Sequence, residues 1–366
     1  MTTDRQMAAL SRLIFQGYDG DFIEPKANLE SVYGELEYVA SLSPEGLLEF
    51  SCSANTHHVL VRALQVLEQT AAIRGDERIR QWCRSELDRE RTRIARAVEF
   101  LSPICAALEA AGCPVSVIKS LDHWPDLGSD LDLFTSGDPN TVRHVMEDTF
   151  KATMEHRSWG DRLANKWNFG VPGLPELIEI HVQYLGQTGE HKAMARRVVE
   201  RSVLREVGGH TFRVPAPEER IVISTLQRMY RHFYFRLCDM VDVANLLQHR
   251  VIDFAELRKA ADAGGIWPGV ATFLHLVSKY VQDYGGYVDL PQDVIAAAHS
   301  PEMKVNLRSN FLRVPLLPSA GLYGSQLLSA SANGDLRAMC RLPLLPPLAV
   351  TALLAFRLTG TDKGIW

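Results

Sequence analysis

Two short alternating segments constrain this chain more than any other feature of its sequence. Residues 130–134 read DLDLF and residues 177–182 read LIEIHV, so polar and apolar side chains alternate in both. A period of two is typical of a β-strand that buries one face. The first strand would place Asp130 and Asp132 on one face, and the second would do the same for Glu179 and His181. If the strands are neighbours in one sheet, three carboxylates converge.

The predicted group of carboxylates indicates a metal site. Three carboxylates at close range repel one another unless cations lie between them. Hard oxygen ligands in this number suit Mg²⁺ or Mn²⁺. Two such ions at about 3.5–4 Å can hold the reacting groups of an in-line phosphoryl displacement. We therefore predict that Asp130, Asp132 and Glu179 are both metal ligands and catalytic residues.

The segment before the first acidic strand contains a candidate phosphate-binding turn. Residues 114–119 (PVSVIK) predict a strand, and Ser120 follows it directly. A small residue at such a turn lets backbone N–H groups approach a phosphate. Lys119, Ser120 and Ser129 are therefore candidate cofactor-binding residues. His181 is a further candidate for substrate or Glu179 contact, with a hydrogen-bonded structural histidine as the alternative.

Helical patterns lie on both sides of the predicted strands. Apolar residues recur at three- and four-residue steps between Val59 and Ala71, with Asn55-Thr56 as a candidate N-cap. Residues 76–111 predict a long charged helix with ion pairs such as Arg84 with Asp88. After Pro215 the helical pattern returns. We predict an α+β chain with a helical N-terminal arm (1–97), a core with a small mixed β-sheet (98–213) and a helical C-terminal lobe (214–366).

Charge and cysteine usage exclude several classes of protein. The 366 residues carry a net charge of −5, which disfavours bulk nucleic acid as a partner. The six cysteines form no CxxC pair, so we expect reduced thiols and no zinc ribbon. The first residues lack the apolar stretch of a signal peptide, so a cytoplasmic location is expected.

One apolar stretch lies near the C-terminus, at residues 342–358 (LPLLPPLAVTALLAFRL). Prolines interrupt its first third, and the rest is shorter than the roughly 20 residues that a membrane span requires. We predict a buried C-terminal helix, with a helix on a membrane surface as the alternative, and no membrane span.

A basic and aromatic cluster follows the predicted core. Its members are Arg228, Tyr230, Arg231, His232, Tyr234, Phe235 and Arg236. The cluster has two interpretations: a cleft wall that meets phosphate groups, or a packed helix with a charged outer edge. Asp242, further along the same segment, is expected to have a structural partner.

Five stretches follow the order of motifs in a known enzyme superfamily. They are Ile118-Lys119-Ser120, Trp124-Pro125, residues 129–132 (SDLD), residues 178–181 (IEIH) and residues 236–247 (RLCDMVDVANLL). On these motifs the chain resembles the polymerase-β-like nucleotidyltransferases, and within them the bacterial group labelled uncharacterised nucleotidyltransferase. The resemblance covers residues 98 to 270. Two features depart from it, because Ser120 replaces the usual glycine and no arginine directly precedes Asp130.

The resemblance implies a metal-dependent enzyme. It would transfer NMP from an NTP, expected to be ATP, to a hydroxyl of a small molecule, peptide or protein, and would release pyrophosphate. Modification of a peptide or natural product is a plausible setting. Asp130 and Asp132 would hold both Mg²⁺ or Mn²⁺ ions, Glu179 would complete the second, and Lys119 and Ser120 would contact the β- and γ-phosphates.

Two other functions compete with this interpretation. A glycosyltransferase also uses a DxD motif to hold a metal and a nucleotide sugar, but it would place repeated βα units before the motif. Here about a hundred residues of helical pattern come first. The second alternative is a catalytically degenerate core that binds a nucleotide or serves as a scaffold.

Overall fold

The computed structural model describes residues 2–18, 22–248, 252–299, 302–314 and 316–359. Its N-terminal part is helical, as predicted. The elements are α1 (Thr2–Gly17), a 3₁₀ turn (Glu30–Val32), α2 (Tyr33–Ala40), α3 (Pro44–Thr56), α4 (Leu60–Arg74) and α5 (Glu77–Ala110). The two helices predicted around residues 59–71 and 76–111 are confirmed as α4 and α5, which pack against each other.

Two local details of these helices differ from the sequence predictions. Asn55 and Thr56 end α3 and do not cap α4. The cap of α4 is instead Asp126, whose carboxylate accepts hydrogen bonds from the N–H groups of Val61 (2.6 Å) and Arg62 (3.3 Å). A carboxylate from a distant loop therefore satisfies the free N–H groups of the first turn.

The arginines of the ion pairs predicted within α5 instead contact the neighbouring helix α4. Arg84 pairs with Glu68 of α4 at 2.9 Å, and Arg80 contacts the same carboxylate at 3.3 Å. Because Glu68 faces both arginines from the neighbouring helix, these contacts join the two helices rather than stabilise α5 alone.

A small mixed sheet follows the helical arm and confirms the predicted α+β class. Its strands are β1 (Val115–Val117), β2 (Asp130–Thr135), β3 (Thr153–Met154), β4 (Lys166–Gly170) and β5 (Leu177–Val182), in the order β1-β2-β5-β4-β3. Strands β2 and β5 are parallel, and the other pairs are antiparallel. Around them lie a 3₁₀ turn (Ser120–His123), α6 (Pro139–His144), a π-helical turn (Val145–Thr149) and α7 (Trp159–Ala164).

A helix and a hairpin that the sequence reading did not predict complete this part. They are α8 (Lys192–Glu200), β6 (Ser202–Val207) and β7 (His210–Pro215). Gly208 and Gly209 form the two-residue turn, both with positive φ, which is the backbone that such hairpins require. Strand β7 packs on β1 and α5 and so supports the sheet from the helical side.

The C-terminal part returns to helix, as predicted, but also contains three short strands. The elements are α9 (Pro217–Thr225), a π-helical turn (Leu226–His232), β8 (Tyr234–Phe235), α10 (Leu237–Gln248), α11 (Phe254–Ala263), α12 (Trp267–Asp283), α13 (Gln292–Ala297), β9 (Asn306–Arg308), β10 (Phe311–Arg313), α14 (Leu316–Ala332), α15 (Leu336–Arg341), a 3₁₀ turn (Leu342–Leu344) and α16 (Leu345–Thr359). The strands form an antiparallel sheet in the order β8-β10-β9.

One cluster of buried apolar side chains extends through these parts, from Met7 of α1 to Leu322 of α14. The three-part division of the chain at residues 97 and 213 stays a prediction. All six cysteines are free thiols, as expected.

The prediction of a buried C-terminal helix is wrong for one face of α16. Leu342 is fully buried, but Val350, Leu354 and Leu358 are 55%, 51% and 83% exposed. These three residues recur at every fourth position and therefore share one face of the helix, which is turned to solvent. No helix among the described residues is long and apolar enough to cross a membrane.

Candidate active site

The parallel pairing of β2 with β5 brings the predicted carboxylates together. Asp132 lies opposite Glu179 in the register of the two strands, and Asp130 is two positions before Asp132. The alternate residues Leu131 and Ile178 are fully buried on the other face. The period-two pattern of both strands therefore places three acidic side chains at one surface of the sheet.

Asp132 and Glu179 are already engaged by cationic side chains. The ammonium of Lys119 forms an ion pair with Asp132 and lies 3.8 Å from Glu179. Lys166 donates to Glu179 at 2.9 Å, and the Nε2 of His181 lies 2.9 Å from the same carboxylate. Desolvation favours the neutral acid, but the His181 hydrogen bond and the two ammonium charges hold the pKa of Glu179 well below its usual value.

Asp130 differs from its two neighbours because it has no cationic partner among the described residues. It is exposed along the cleft and accepts one hydrogen bond, from the Ser129 hydroxyl at 3.3 Å. Desolvation and the charges of Asp132 and Glu179 raise its pKa. A bound cation would relieve this repulsion.

Ser120 and Lys119 lie at the turn that precedes β2, as predicted. The hydroxyl of Ser120 accepts from the N–H of Asp132 at 2.8 Å and donates to the carbonyl of Asp130 at 3.1 Å. Lys119 has a φ of +62°, which turns the chain sharply at the end of β1. The hydroxyl thus holds the strand that carries the carboxylates, and phosphate contact by Ser120 stays a prediction.

The basic cluster forms the opposite wall of a cleft of about 740 Å³, which we call the carboxylate cleft. One wall carries Asp130, Asp132 and Glu179, and the other carries Arg228, Arg231 and Arg236. The arginines therefore line the cleft, as the first interpretation expects, and their contact with phosphate groups stays a prediction. Phe235, in contrast, is fully buried in the core.

The backbone explains how these arginines reach the cleft. Residues 226–232 form a π-helical turn, a feature that often marks functional sites because it redirects side chains. Arg228 is buried and pairs with Asp239 at 2.8 Å, and Arg236 donates to His58. Arg231 has no ion pair or hydrogen bond with any described residue, so its charge is available to a ligand.

Sequence reasoning missed Arg93, which fixes the loops that lead into both acidic strands. From α5 it donates to the carbonyl of Leu127 at 3.0 Å, before β2, and to Glu176 at 2.5 Å, directly before β5. Arg93 comes from α5. The arginine of the superfamily motif, in contrast, directly precedes the first aspartate. No local pattern marks Arg93, because its partners lie 34 and 83 residues away.

A second missed element is a buried ionic network below the cleft. Arg62, 1% exposed, donates to the carbonyl of Trp124 at 2.7 Å and lies 3.5 Å from Asp126 and 3.7 Å from Asp242. Asp242 also contacts His123. The prediction of a structural partner for Asp242 is therefore confirmed, with Arg62 and His123 as the two partners. This network anchors the loop that follows Ser120.

Two groups of side chains have the composition of a metal site. The ligand atoms of Asp132, Glu179 and His181 lie within 4.8 Å of one another, and the free carboxylate of Asp130 adjoins them. This oxygen-rich set fits Mg²⁺ or Mn²⁺. The other group is His123, Cys238 and Asp242. It is buried and Asp242 lies beside Arg62, so a cation there would meet a competing positive charge.

The comparisons with known proteins agree with this geometry. No curated protein matches the chain, and no solved structure matches it. Residues 45–282 match the protein family described as "Uncharacterised nucleotidyltransferase". The matched region contains the whole carboxylate cleft and extends well to the N-terminal side of the motifs that suggested the resemblance. The chain belongs to this nucleotidyltransferase family.

Proposed function

We propose that the protein transfers NMP from an NTP to a hydroxyl acceptor and releases pyrophosphate. One observation carries the proposal: the β2–β5 register places Asp132 beside Glu179 and next to the uncompensated Asp130, opposite a wall of arginines. A cleft with carboxylates on one wall and guanidinium groups on the other suits a metal–triphosphate, which needs both. ATP is the expected NTP, and the cytoplasm, where NTPs are abundant, is the proposed location.

The carboxylates Asp130, Asp132 and Glu179 would hold Mg²⁺ or Mn²⁺. When bound, such ions neutralise phosphate charge and lower the pKa of the attacking hydroxyl. The lowered pKa of Glu179 makes it a weak base, which favours a role as a ligand over that of proton acceptor.

The chain's own cations would position the nucleotide. Arg231 is free to bind a phosphate oxygen, and Lys119 can exchange its contact with Asp132 for one with the triphosphate. In the transfer, the acceptor oxygen forms a bond to the α-phosphorus, the bond from this phosphorus to pyrophosphate breaks, and the hydroxyl proton passes to solvent water.

A thermal-shift screen with ATP, GTP, CTP, UTP and UDP-sugars, each with and without Mg²⁺ or Mn²⁺, tests the proposal. A ligand at a hundred times its Kd stabilises the folded state by about 2.7 kcal/mol. We expect metal-dependent stabilisation by an NTP in the wild type and none in Asp130→Ala, whose folding should be intact because the change relieves carboxylate repulsion.

The matched control is Asp262→Ala, which removes an exposed carboxylate of α11 that pairs with Arg258. It should respond to nucleotides like the wild type. Stabilisation by a UDP-sugar alone would instead support the glycosyltransferase, for which the fold offers no parallel βα units before Asp130 in the described part of the chain.

One observation favours a second candidate, nucleotide binding without transfer. The ammonium groups of Lys119 and Lys166 already neutralise Asp132 and Glu179 and could replace the metal. In that case an NTP would stabilise the protein equally with and without Mg²⁺, and no pyrophosphate would form.

A further inference from the structure

A second cavity, which we call the side pocket, opens beside the carboxylate cleft. It contains about 600 Å³ of space between its walls, part of which is open to solvent. Lys119, Gln227 and Arg231 line both the cleft and the side pocket, so the two cavities are adjacent. Apolar side chains form most of its wall: Ile118, Leu185, Ile223, Leu226, Tyr230 and Leu345.

Two buried amides in this apolar wall lack hydrogen-bond partners for their oxygens. Gln187 is 9% exposed and Gln326 is 2% exposed, and the Oε1 of each has no partner among the described residues. The Nε2 of Gln326 donates to His191 at 3.2 Å, which fixes the amide in place. Leaving a buried acceptor unpaired is costly, so both oxygens point to a ligand that donates hydrogen bonds.

The loop that carries Gln187 has a defined shape. Glu190 accepts from the N–H of Gln187 at 3.3 Å and from that of Thr188 at 2.8 Å. Gly186 has a φ of +95°, and a Cβ there would lie 2.3 Å from the Glu190 carboxyl carbon. No lysine or arginine among the described residues pairs with Glu190, which also lines the side pocket. Glu190 therefore brings a negative charge to the side pocket, whose wall also includes the cations Lys119 and Arg231.

His181 connects the side pocket to the reaction site. Its Nε2 is bound to Glu179, and its buried Nδ1 has no partner among the described residues. His181 lines the side pocket and not the cleft, whereas Ser129 and Arg236 line the cleft and not the side pocket; Lys119 and Arg231, the other candidate phosphate ligands, line both. In an in-line displacement the acceptor and the leaving pyrophosphate lie on opposite sides of the α-phosphorus. The position beside His181 is thus the acceptor's side.

The side pocket also needs residues from outside the family-matched region. Gln326 of α14 and Leu345 of α16 belong to the last 84 residues, beyond position 282. The carboxylates and arginines of the cleft all lie within the matched region. This separation fits a pocket that selects the substrate next to a site that performs the transfer.

We propose that the side pocket binds the acceptor, and that the acceptor is a small molecule with an apolar body, a hydroxyl group and an amine at the opposite end. The hydroxyl would lie near His181, and the amine would donate to Gln187 and Gln326 beside the Glu190 charge. The apolar body would pack on Leu226 and Tyr230. This inference rests on the proposed nucleotidyl transfer and adds the class of its acceptor.

Calorimetric titration of the full chain tests this proposal directly. The probes are tyramine and 6-amino-1-hexanol, with the amine-free analogues 4-ethylphenol and 1-hexanol. We expect the amines to bind at least tenfold more tightly than their analogues. Gln326→Leu and Gln187→Leu should each weaken amine binding at least tenfold, while Gln81→Leu, on the exposed side of α5, should not change it.

Two variants keep the test valid if one of them fails to fold. Gln187→Leu removes an unpaired buried oxygen and should keep the fold, whereas Gln326→Leu also removes the hydrogen bond to His191 and should lower stability. NTP binding is measured in the same samples, so the two proposals can fail separately. Amine binding without any NTP binding would contradict nucleotidyl transfer but not the preference of the side pocket for amines. Intact NTP binding with no preference for amines would overturn the acceptor proposal, as would loss of NTP affinity in both glutamine variants, which would place the nucleobase in the side pocket.

Discussion

The carboxylate cleft and the side pocket share Lys119 and Arg231 but are built in different ways. The acidic wall of the cleft comes from two paired strands, and its geometry follows from a single register. The side pocket is assembled from segments as far apart as Ile118 and Leu345. The difference suggests that the transfer chemistry belongs to the sheet, whereas acceptor choice belongs to the loops and helices around it.

The strongest way to separate the two sites is Asp132→Asn. Metal ligands supply several kcal/mol of transition-state stabilisation, so we expect transfer to fall by at least about 1,000-fold. Amine binding in the side pocket should not change. Pyrophosphate release and calorimetry measure the two effects, with Asp262→Asn as the control. Transfer within tenfold of the wild type would show that Asp132 is not a metal ligand.

The second prediction tests what supports the cleft. Arg62→Met leaves Asp126 and Asp242 as buried charges without this partner, and breaking a buried ion pair costs about 3–5 kcal/mol. Arg80→Met, which removes a partly exposed pair, should cost less than about 1 kcal/mol. Chemical unfolding of both variants gives the difference. Equal losses would mean that the buried network does not anchor the loop after Ser120.

The third prediction concerns pH, through His57. This buried ring accepts from the N–H of Leu237 at 3.0 Å and bonds to the carbonyl of Asn310 at 2.9 Å, and burial lowers its pKa to about 4. Between pH 6.5 and pH 4 the unfolded chain binds a proton that the folded chain does not. The stability from this group is therefore complete above pH 6.5 and is lost as the pH falls, by at most about 3 kcal/mol.

Melting temperatures of the wild type and His57→Asn across this pH range isolate the effect. Other buried histidines, such as His58, titrate in the same direction and are common to both proteins. The variant should be less stable at pH 7 and lose less stability on acidification. Parallel curves would contradict the neutral buried state of His57.

The smallest predicted effect is at the wall that both sites share. Arg231→Met removes one charge-assisted contact to a phosphate, so we expect about tenfold weaker NTP binding and no loss of amine binding, because a guanidinium does not attract an ammonium. Melting temperature should not change, because Arg231 has no partner among the described residues. Arg196→Met, on the exposed side of α8, is the matched control. Unchanged NTP binding in Arg231→Met would show that Arg231 does not contact the nucleotide.

The same contrast explains which features could be predicted from the sequence. Strands β2 and β5 follow from side-chain alternation, and α5 follows from its length and its Asp76 cap, because both signals are local. The β6–β7 hairpin also has a local signal, the pair Gly208-Gly209 at its turn, although no hairpin was predicted there. The burial predicted for α16 is wrong on one face. An apolar helix can be buried or exposed, and this depends on the elements that pack against it.

Within the candidate site, the acidic residues were found and their supports were not. Asp130, Asp132 and Glu179 lie on regular strands, whose faces the sequence predicts. Arg62 and Arg93 act through contacts with distant loops, and no spacing in the sequence encodes such pairs. The side pocket was missed for the same reason. It depends on Gln326, whose partners in the pocket wall, such as Ile118, lie far away in the sequence.

A titration with Mn²⁺, followed by electron paramagnetic resonance, tests the central claim most directly. It is performed on the full chain and on Asp130→Ala, each with and without ATP. We expect the wild type to bind Mn²⁺, and ATP and Mn²⁺ to strengthen each other's binding by the same factor. Asp130→Ala should lose both the Mn²⁺ binding and its coupling to ATP. Equal Mn²⁺ binding by the two proteins, unaffected by ATP, would contradict a metal-dependent nucleotidyl transfer site at these carboxylates.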